Sequence, residues 1–363
     1  MNSAQELGTL ITALRALSDD AAPSAALATL VRTRGSTFRR AGTRMLVLAD
    51  GSVVCELSGG CPQRDIVVRA LQVIADGRPR VISYNAESGL DVLMEMGCGG
   101  ELEVLLEPLT QAGAIDFVEA LSRCLTMRQS ARMATLFAID GAVVMPRRLL
   151  WSGDDMLYDG FDDPALVNAV ADSIAANDSP RALSLRLAST HGDIDILVEP
   201  VIPPHALIVI GSSAAARALL PVASALGWQT TLVDHDPERL RATELPAGLR
   251  AVCASPQSVR ATLPLDAHSS VVVMTHNLER DVAYLAALRG SPIAYLGTLG
   301  SRERVVRMRG NGLLRGMRLH APAGLDIGSE TPEEIALAVA AEIMAVINGR
   351  SGGPLRDNEG AIH

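Results

Sequence analysis

Ala206-Leu207-Ile208-Val209-Ile210-Gly211-Ser212-Ser213 carries an apolar run through a glycine into the helical segment Ala214–Leu226. An unbroken apolar run of this length is the pattern of a strand covered on both faces of a parallel sheet. Gly211 turns the chain, Gly227 closes the helix, and Thr230–Val233 forms a second strand ending at Asp234. Strand, glycine turn, helix, strand and terminal acid are the parts of a Rossmann unit, and Asp234 follows Gly211 at about the usual twenty residues. In such a unit the acid holds a ribose hydroxyl. The glycine pattern is less complete, because Ser213 and Ala216 stand where GxGxxG asks for glycine. Alanine suits the third position, whereas Ser213 adds bulk where a pyrophosphate approaches.

Downstream the same pattern continues. Ser270–Met274 leads to Thr275-His276-Asn277, and Ile293–Leu296 leads to Gly297-Thr298-Leu299-Gly300-Ser301-Arg302. Ligands of open parallel sheets bind beyond the carboxyl ends of the strands. Gly211, Ser213, Asp234, His276, Gly297, Gly300 and Ser301 are therefore candidate ligand contacts, and the last three open a helix suited to phosphate. His276 reads equally well as a structural histidine. Thr331-Pro332-Glu333-Glu334 starts a long helix with a capping box and a proline at its first position. His320–Asp326 is a small-residue loop placed to close over the same crevice.

Upstream, Pro200-Val201-Ile202-Pro203-Pro204 is a stiff connector and the best boundary in the chain. We expect a mixed α/β domain over residues 1–108 and a mixed α/β region over 109–199 continuous with it. A Rossmann-like domain over 205–350 and a flexible tail over 351–363 follow. Residues 5–17 and Asp65–Ile74 have helical spacing, and Ala25–Thr33 reads as a strand. Met45–Leu48 and Ser52–Glu56 form a hairpin about Ala49-Asp50-Gly51. Asp193–Pro200 echoes Glu101–Pro108, a weak repeat that two edge strands ended by Glu-Pro account for.

Two glycine–cysteine turns stand in the first domain, Ser58-Gly59-Gly60-Cys61 and Gly97-Cys98-Gly99-Gly100. Paired glycines let a backbone approach a ligand, and a helix start lowers a thiol pKa. Cys61 is thus a candidate metal or cofactor contact, with a buried structural cysteine as the alternative. Five arginines, Arg32, Arg34, Arg39, Arg40 and Arg44, lie around Gly35 in a chain of net charge -9. All 32 basic residues are arginine, so no P-loop or Schiff-base lysine exists. The acidic balance argues against nucleic acid as a partner. The five cysteines form no CxxC or disulfide framework, and no apolar run suggests a membrane span. We therefore expect a cytoplasmic protein.

Taken in order, Arg34-Gly35-Ser36-Thr37, Arg39–Met45, the two glycine–cysteine turns, Leu232–His235, Thr275-His276, Tyr295–Ser301 and His320–Gly328 resemble the XdhC/CoxI family, accessory proteins of molybdenum hydroxylases such as xanthine dehydrogenase. The resemblance implies an amino-terminal XdhC/CoxI domain and a carboxy-terminal Rossmann domain. It also implies binding of molybdenum cofactor (molybdopterin), its sulfuration with a donor such as a cysteine desulfurase, and its delivery to a molybdenum hydroxylase apoenzyme. Gly35, Arg39, Arg40, Arg44, Ser58, Gly59, Gly60 and Cys61 become candidate cofactor contacts, because arginine's planar donors match phosphate and pterin edges. A thiolate suits a thiophilic metal. A homodimer is expected from base rates. The competing reading is an NAD(P)-dependent oxidoreductase built on the Rossmann unit.

Overall fold

The structure, a computed structural model, describes residues 2–18, 24–35, 37–57, 61–85, 100–110, 113–175, 179–241, 243, 248–310 and 312–357. Two compact units divide the chain, Met1–Pro203 and Pro204–His363.

The first unit is built twice over. After helix α1 (Ala4–Ser18), strands β1 (Ala25–Arg34), β2 (Arg44–Leu48) and β3 (Val53–Val54) precede helix α2 (Cys61–Asp76), then β4 (Arg80–Tyr84) and β5 (Glu101–Pro108). Following α3 (Phe117–Thr126), the pattern recurs as β6 (Ala131–Ile139), β7 (Ala142–Ser152), β8 (Asp155–Asp159), α4 (Pro164–Ala175), β9 (Leu183–Ser189) and β10 (Gly192–Val201). The two antiparallel sheets have corresponding orders, β3-β2-β1-β5-β4 and β8-β7-β6-β10-β9. Even the irregularities agree: β1 slips register between Leu30 and Arg32, and β6 slips between Leu136 and Ala138.

The expectation of two edge strands ended by Glu-Pro is corrected here, since β5 and β10 are interior strands, each last in its repeat. Proline is tolerated because the neighbour on one side has already stopped, although Ala26 of β1 and Arg132 of β6 still stand opposite on the other. β4 begins at Arg80 opposite Leu106, short of Pro108, and β9 begins at Leu183 opposite Val198, short of Pro200.

Alternation along the strands sorts the core into layers. Ala26, Ala28 and Leu30 of β1 pack with Ile66, Ala70 and Val73 of α2, while Ala134 and Leu136 of β6 pack with Leu166 and Val170 of α4. The opposite faces meet each other, as Val31 and Leu105 join Phe137 and Leu197 in one cluster. The unit is therefore two sheets face to face with a helix outside each. Strands covered on both faces read as nearly continuous apolar runs, as Ala25–Val31 does with Thr29 its one polar residue.

Between the sheets lie four buried charges exchanged across the repeats. Arg44 of β2 pairs with Glu199 of β10, donating from Nη1 at 2.9 Å, and Arg148 of β7 pairs with Glu107 of β5, donating from Nη1 at 2.8 Å. All four side chains are buried. Arg148 also lies 4.2 Å above the Phe117 ring. Thr29 and Thr135, the cross-strand neighbours of these arginines, are buried beside them.

In the second unit, β11 (Ala206–Ile210), β12 (Gln229–Asp234), β13 (Arg250–Cys253), β14 (Ser269–Val273) and β15 (Tyr295–Thr298) form a wholly parallel sheet in the order β13-β12-β11-β14-β15. Right-handed crossovers demand intervening helices. After α5 (Ala214–Ala225) come α6 (Pro237–Arg241), α7 (Val259–Thr262), α8 (Leu278–Ala287), α9 (Arg302–Gly310) and α10 (Pro332–Ile347). Helices α5 and α10 cover one face of the sheet and α8 the other. Thr331 and Glu334 close the expected capping box, with Pro332 inside the first turn.

Candidate functional site

Antiparallel pairing in the first sheet gathers residues far apart in the chain at one end. β1 ends at Arg34 opposite Glu101, and β4 ends at Tyr84 opposite Leu102. Gly35, with φ 69, therefore leaves the sheet beside the buried Gly100. Tyr84 Oη donates to Asp65, just past the first turn of α2, at 2.7 Å. That bond ties the start of α2, at Cys61, to the same end. Burial first, and the Asp65 carboxylate second, push the Tyr84 hydroxyl pKa upward, so it stays a donor. A cleft there is lined by Arg32, Arg34, Tyr84, Asn85 and Glu103. The flanks of all three glycine words thus meet. Ser58, Gly59, Gly60, Gly97, Cys98 and Gly99 lie outside the described residues, as does the Cys61 side chain.

The arginines divide by environment. Arg44, expected as an anion contact, is 5% exposed and committed to Glu199, an interior pair rather than a ligand group. Arg32 donates to Glu103 at 2.9 Å and to Asp195 at 2.6 Å. Arg39 grips Glu6 through both terminal nitrogens, at 2.6 and 3.1 Å. The Arg40 carbonyl accepts from the Thr43 hydroxyl, so this residue shapes the turn. Arg34 is the open one: its side chain is 81% exposed and stands 3.9 Å from Glu101. Acceptors at Glu101 and Glu103 beside donors at Arg34 and Asn85 suit an anionic heterocycle with amide-like edges.

Among the described cysteines, burial raises the thiol pKa of Cys55, helped by Glu6, and of Cys124. Neither is an activated nucleophile. No group of three His, Cys, Asp or Glu side chains among the described residues could hold a metal ion.

The second unit has its own candidate crevice, where β11 is flanked by β12 and β14 and the chain leaves in opposite directions. Gly211 has φ 109, and a Cβ there would stand 2.6 Å from the Met274 carbonyl oxygen, so the turn admits only glycine. Ser213 is the N-cap of α5 and accepts from the Ala216 N–H. Asp234 is buried, accepts from Ser212 Oγ at 2.9 Å and the Asp236 N–H at 3.1 Å, and meets His235 Nδ1 at 2.7 Å. His276 is exposed with φ 62, an unusual backbone state of the kind that collects at functional sites.

Gly297 is buried and bridges to His320, whose loop returns along β15. Gly300 and Ser301 precede α9, with Ser301 Oγ accepting from the Arg304 N–H.

Sequence reasoning missed the groups that hold these residues. Tyr84 and Asp65 anchor the first site. In the second unit Asp281, 1% exposed, accepts from Thr275 and Arg304. Glu342 accepts from Tyr295 Oη at 2.5 Å and the Gly324 N–H at 2.8 Å, and stands 3.2 Å from His320 Nδ1. The available signal was positional: Asp281 and Arg304 each lie one turn into the helix that follows a parallel strand.

Known proteins share this arrangement. Residues 207–343 match the model of the XdhC Rossmann domain, and residues 20–85 match that of the XdhC and CoxI family. A Bacillus subtilis (strain 168) protein described as a probable component of xanthine dehydrogenase is 27% identical over 93% of this chain and 97% of its own length. The molybdenum cofactor insertion chaperone PaoD of Escherichia coli (strain K12) is 24% identical over 89% of this chain and 83% of its own. A crystal structure of a xanthine dehydrogenase from Bacillus halodurans superposes with TM-score 0.77 at 25% identity, covering 94% of this chain and 96% of that one. No helix among the described residues is long and apolar enough to cross a membrane.

Proposed function

This chain belongs to the XdhC and CoxI family, and from that premise we propose that it is an accessory protein that binds molybdenum cofactor and delivers it to a molybdenum hydroxylase apoenzyme. The observation that carries the reading is the meeting of the glycine-word flanks at one end of the first sheet, beside an open arginine. The cofactor is cargo, an anionic pterin dithiolene bearing a phosphate. Arg34 and Asn85 would donate to its oxygens, Glu101 and Glu103 would accept from its amino and ring N–H groups, and Cys61 would face the metal as a soft ligand. Gly35, Ser58, Gly59 and Gly60 would let the backbone close on it, with Arg39 and Arg40 shaping the adjoining turn. Sulfuration of the bound cargo, with a cysteine desulfurase as donor, extends this reading.

The test is retention of free cofactor by the purified protein on a sizing column, read as pterin fluorescence after oxidation. Wild type should carry pterin in near-stoichiometric amount, and Cys61→Ser and Arg34→Ala should each carry clearly less. A wild-type peak without pterin removes the reading.

A second reading, NAD(P) bound to the second unit, is favoured by the parallel strand order and its switch point. Against it stand Asp234, whose carboxylate already serves Ser212, His235 and Asp236, and Ser213, whose hydroxyl caps its own helix. Titration of NADH followed by its fluorescence separates the two, and silence at millimolar ligand ends this one.

A further inference from the structure

In the second unit the usual phosphate cradle, the first turn after β11, is occupied by its own side chains. Ser213 caps α5, and Arg217 Nη1 donates to the Ser212 carbonyl at 2.9 Å. The edge offers a different cation. Arg304 Nη2 donates to Asp281 Oδ2 at 2.5 Å, and the other oxygen of this buried carboxylate accepts from the Thr275 N–H at 3.1 Å and the Thr275 hydroxyl at 2.6 Å. One acid therefore fixes both the end of β14 and the guanidinium reaching across from α9.

The route of the arginine is built in. Gly300 has φ 152, and a Cβ on it would stand 2.6 Å from Arg304 Cδ, so the side chain passes through space that only glycine leaves open. The Arg304 side chain is 26% exposed, and its Nε and Nη1 have no protein acceptor among the described residues. A guanidinium held on one side by a buried acid keeps its remaining donors in a fixed plane, the geometry that suits a phosphate. It stands beyond the carboxyl ends of β14 and β15, where parallel sheets bind ligands.

We propose that Arg304 is the phosphate-binding residue of the second unit, with Asp281 its positioning residue and a terminal phosphate group, of the kind a phosphate monoester or the end of a diphosphate presents, its ligand. This deepens the cofactor reading and rests on it for the source of the phosphate, a pterin phosphate rather than a nucleotide, but not for the site.

The full chain is titrated calorimetrically with ADP, and the complex is then challenged with inorganic phosphate. Wild type binds ADP and releases it to phosphate. Arg304→Ala weakens binding roughly tenfold or more, the loss of a charge-assisted hydrogen bond. Arg304→Lys keeps the ion pair and the melting temperature yet still weakens ADP, which a purely structural arginine would not do. Asp281→Asn, which frees the guanidinium, weakens ADP too; should it fail to fold, Gly300→Ala, which displaces the arginine without changing charge, weakens ADP in its place. Arg356→Ala, an exposed control, binds as wild type does.

Equal binding by wild type and Arg304→Ala, or no ADP binding by wild type, overturns the proposal. Pterin retention on the sizing column is read separately. ADP binding lost with cofactor retained in Arg304→Ala assigns the phosphate to a nucleotide, against the source stated here. A wild type that binds ADP but retains no pterin sinks the cofactor reading alone.

Discussion

Glu6 and Arg39 show how a single residue's role is set by a partner the local sequence does not announce. Partial burial works against the Glu6 charge, but the paired Arg39 donors and the Ser3 N–H outweigh it and hold the carboxyl below its ordinary value of 4.5. A lowered folded pKa means stability that is complete above pH 4.5 and is lost as pH falls through the folded value. The pair is about a quarter exposed on each side, so Glu6→Gln should flatten the acid limb of an unfolding profile by about 1 kcal/mol or less. Urea midpoints measured from pH 6 down to pH 3 check this, and an unchanged limb would dismiss the pair. The same lesson covers the whole arginine cluster. Its charge was legible and its assignments were not, because the acid that claims Arg44 lies 155 residues away. In the second unit Gly211, Asp234 and His276 could be placed at one edge from strand order alone, whereas the side chains that satisfy Asp234 come from a turn whose geometry no spacing rule specifies.

Elements were most legible where one physical signal dominates. The apolar runs of the parallel strands, the proline connector and the capping box of α10 each depend on residues adjacent in sequence. Thr331 accepts from the Glu334 N–H while Glu334 returns to the Thr331 and Glu330 N–H groups. Thr331→Ala should therefore destabilise the second unit by about 1 kcal/mol, read as a lower urea midpoint with an unchanged slope. The hairpin was found too, although β3 is only Val53–Val54 where a longer strand was expected. Cys55 follows it at φ 65, ending the ladder. Harder to see were β6 to β10. Their strands are sorted by burial against a sheet from the other repeat, information that local periodicity lacks.

At the scale of the molecule, the duplicated first unit explains both what was visible and what was hidden. One echo survived in sequence, Glu101–Pro108 against Asp193–Pro200, because Glu107 and Glu199 each answer an arginine of the opposite repeat. Removing one member of such a pair strands a buried charge, so Glu199→Ala should cost about 3–5 kcal/mol, and Glu107→Ala about the same. Replacing both Arg44 and Glu199 with apolar residues should recover most of the loss, measured by urea unfolding. A failure of the double variant to recover would assign the cost to packing. The exchange i-to-j and j-to-i is what an isologous dimer contains, here held within one chain. Since the interior binds both copies equally, divergence is left to the connections at their ends. In the second copy, two residues join β6 to β7 and two join β9 to β10; in the first copy the corresponding joins span residues 35–43 and 85–100. The second copy joins these strands by two residues each, and the first carries in its longer joins two of the glycine-bearing words from which the proposed cargo grip is made.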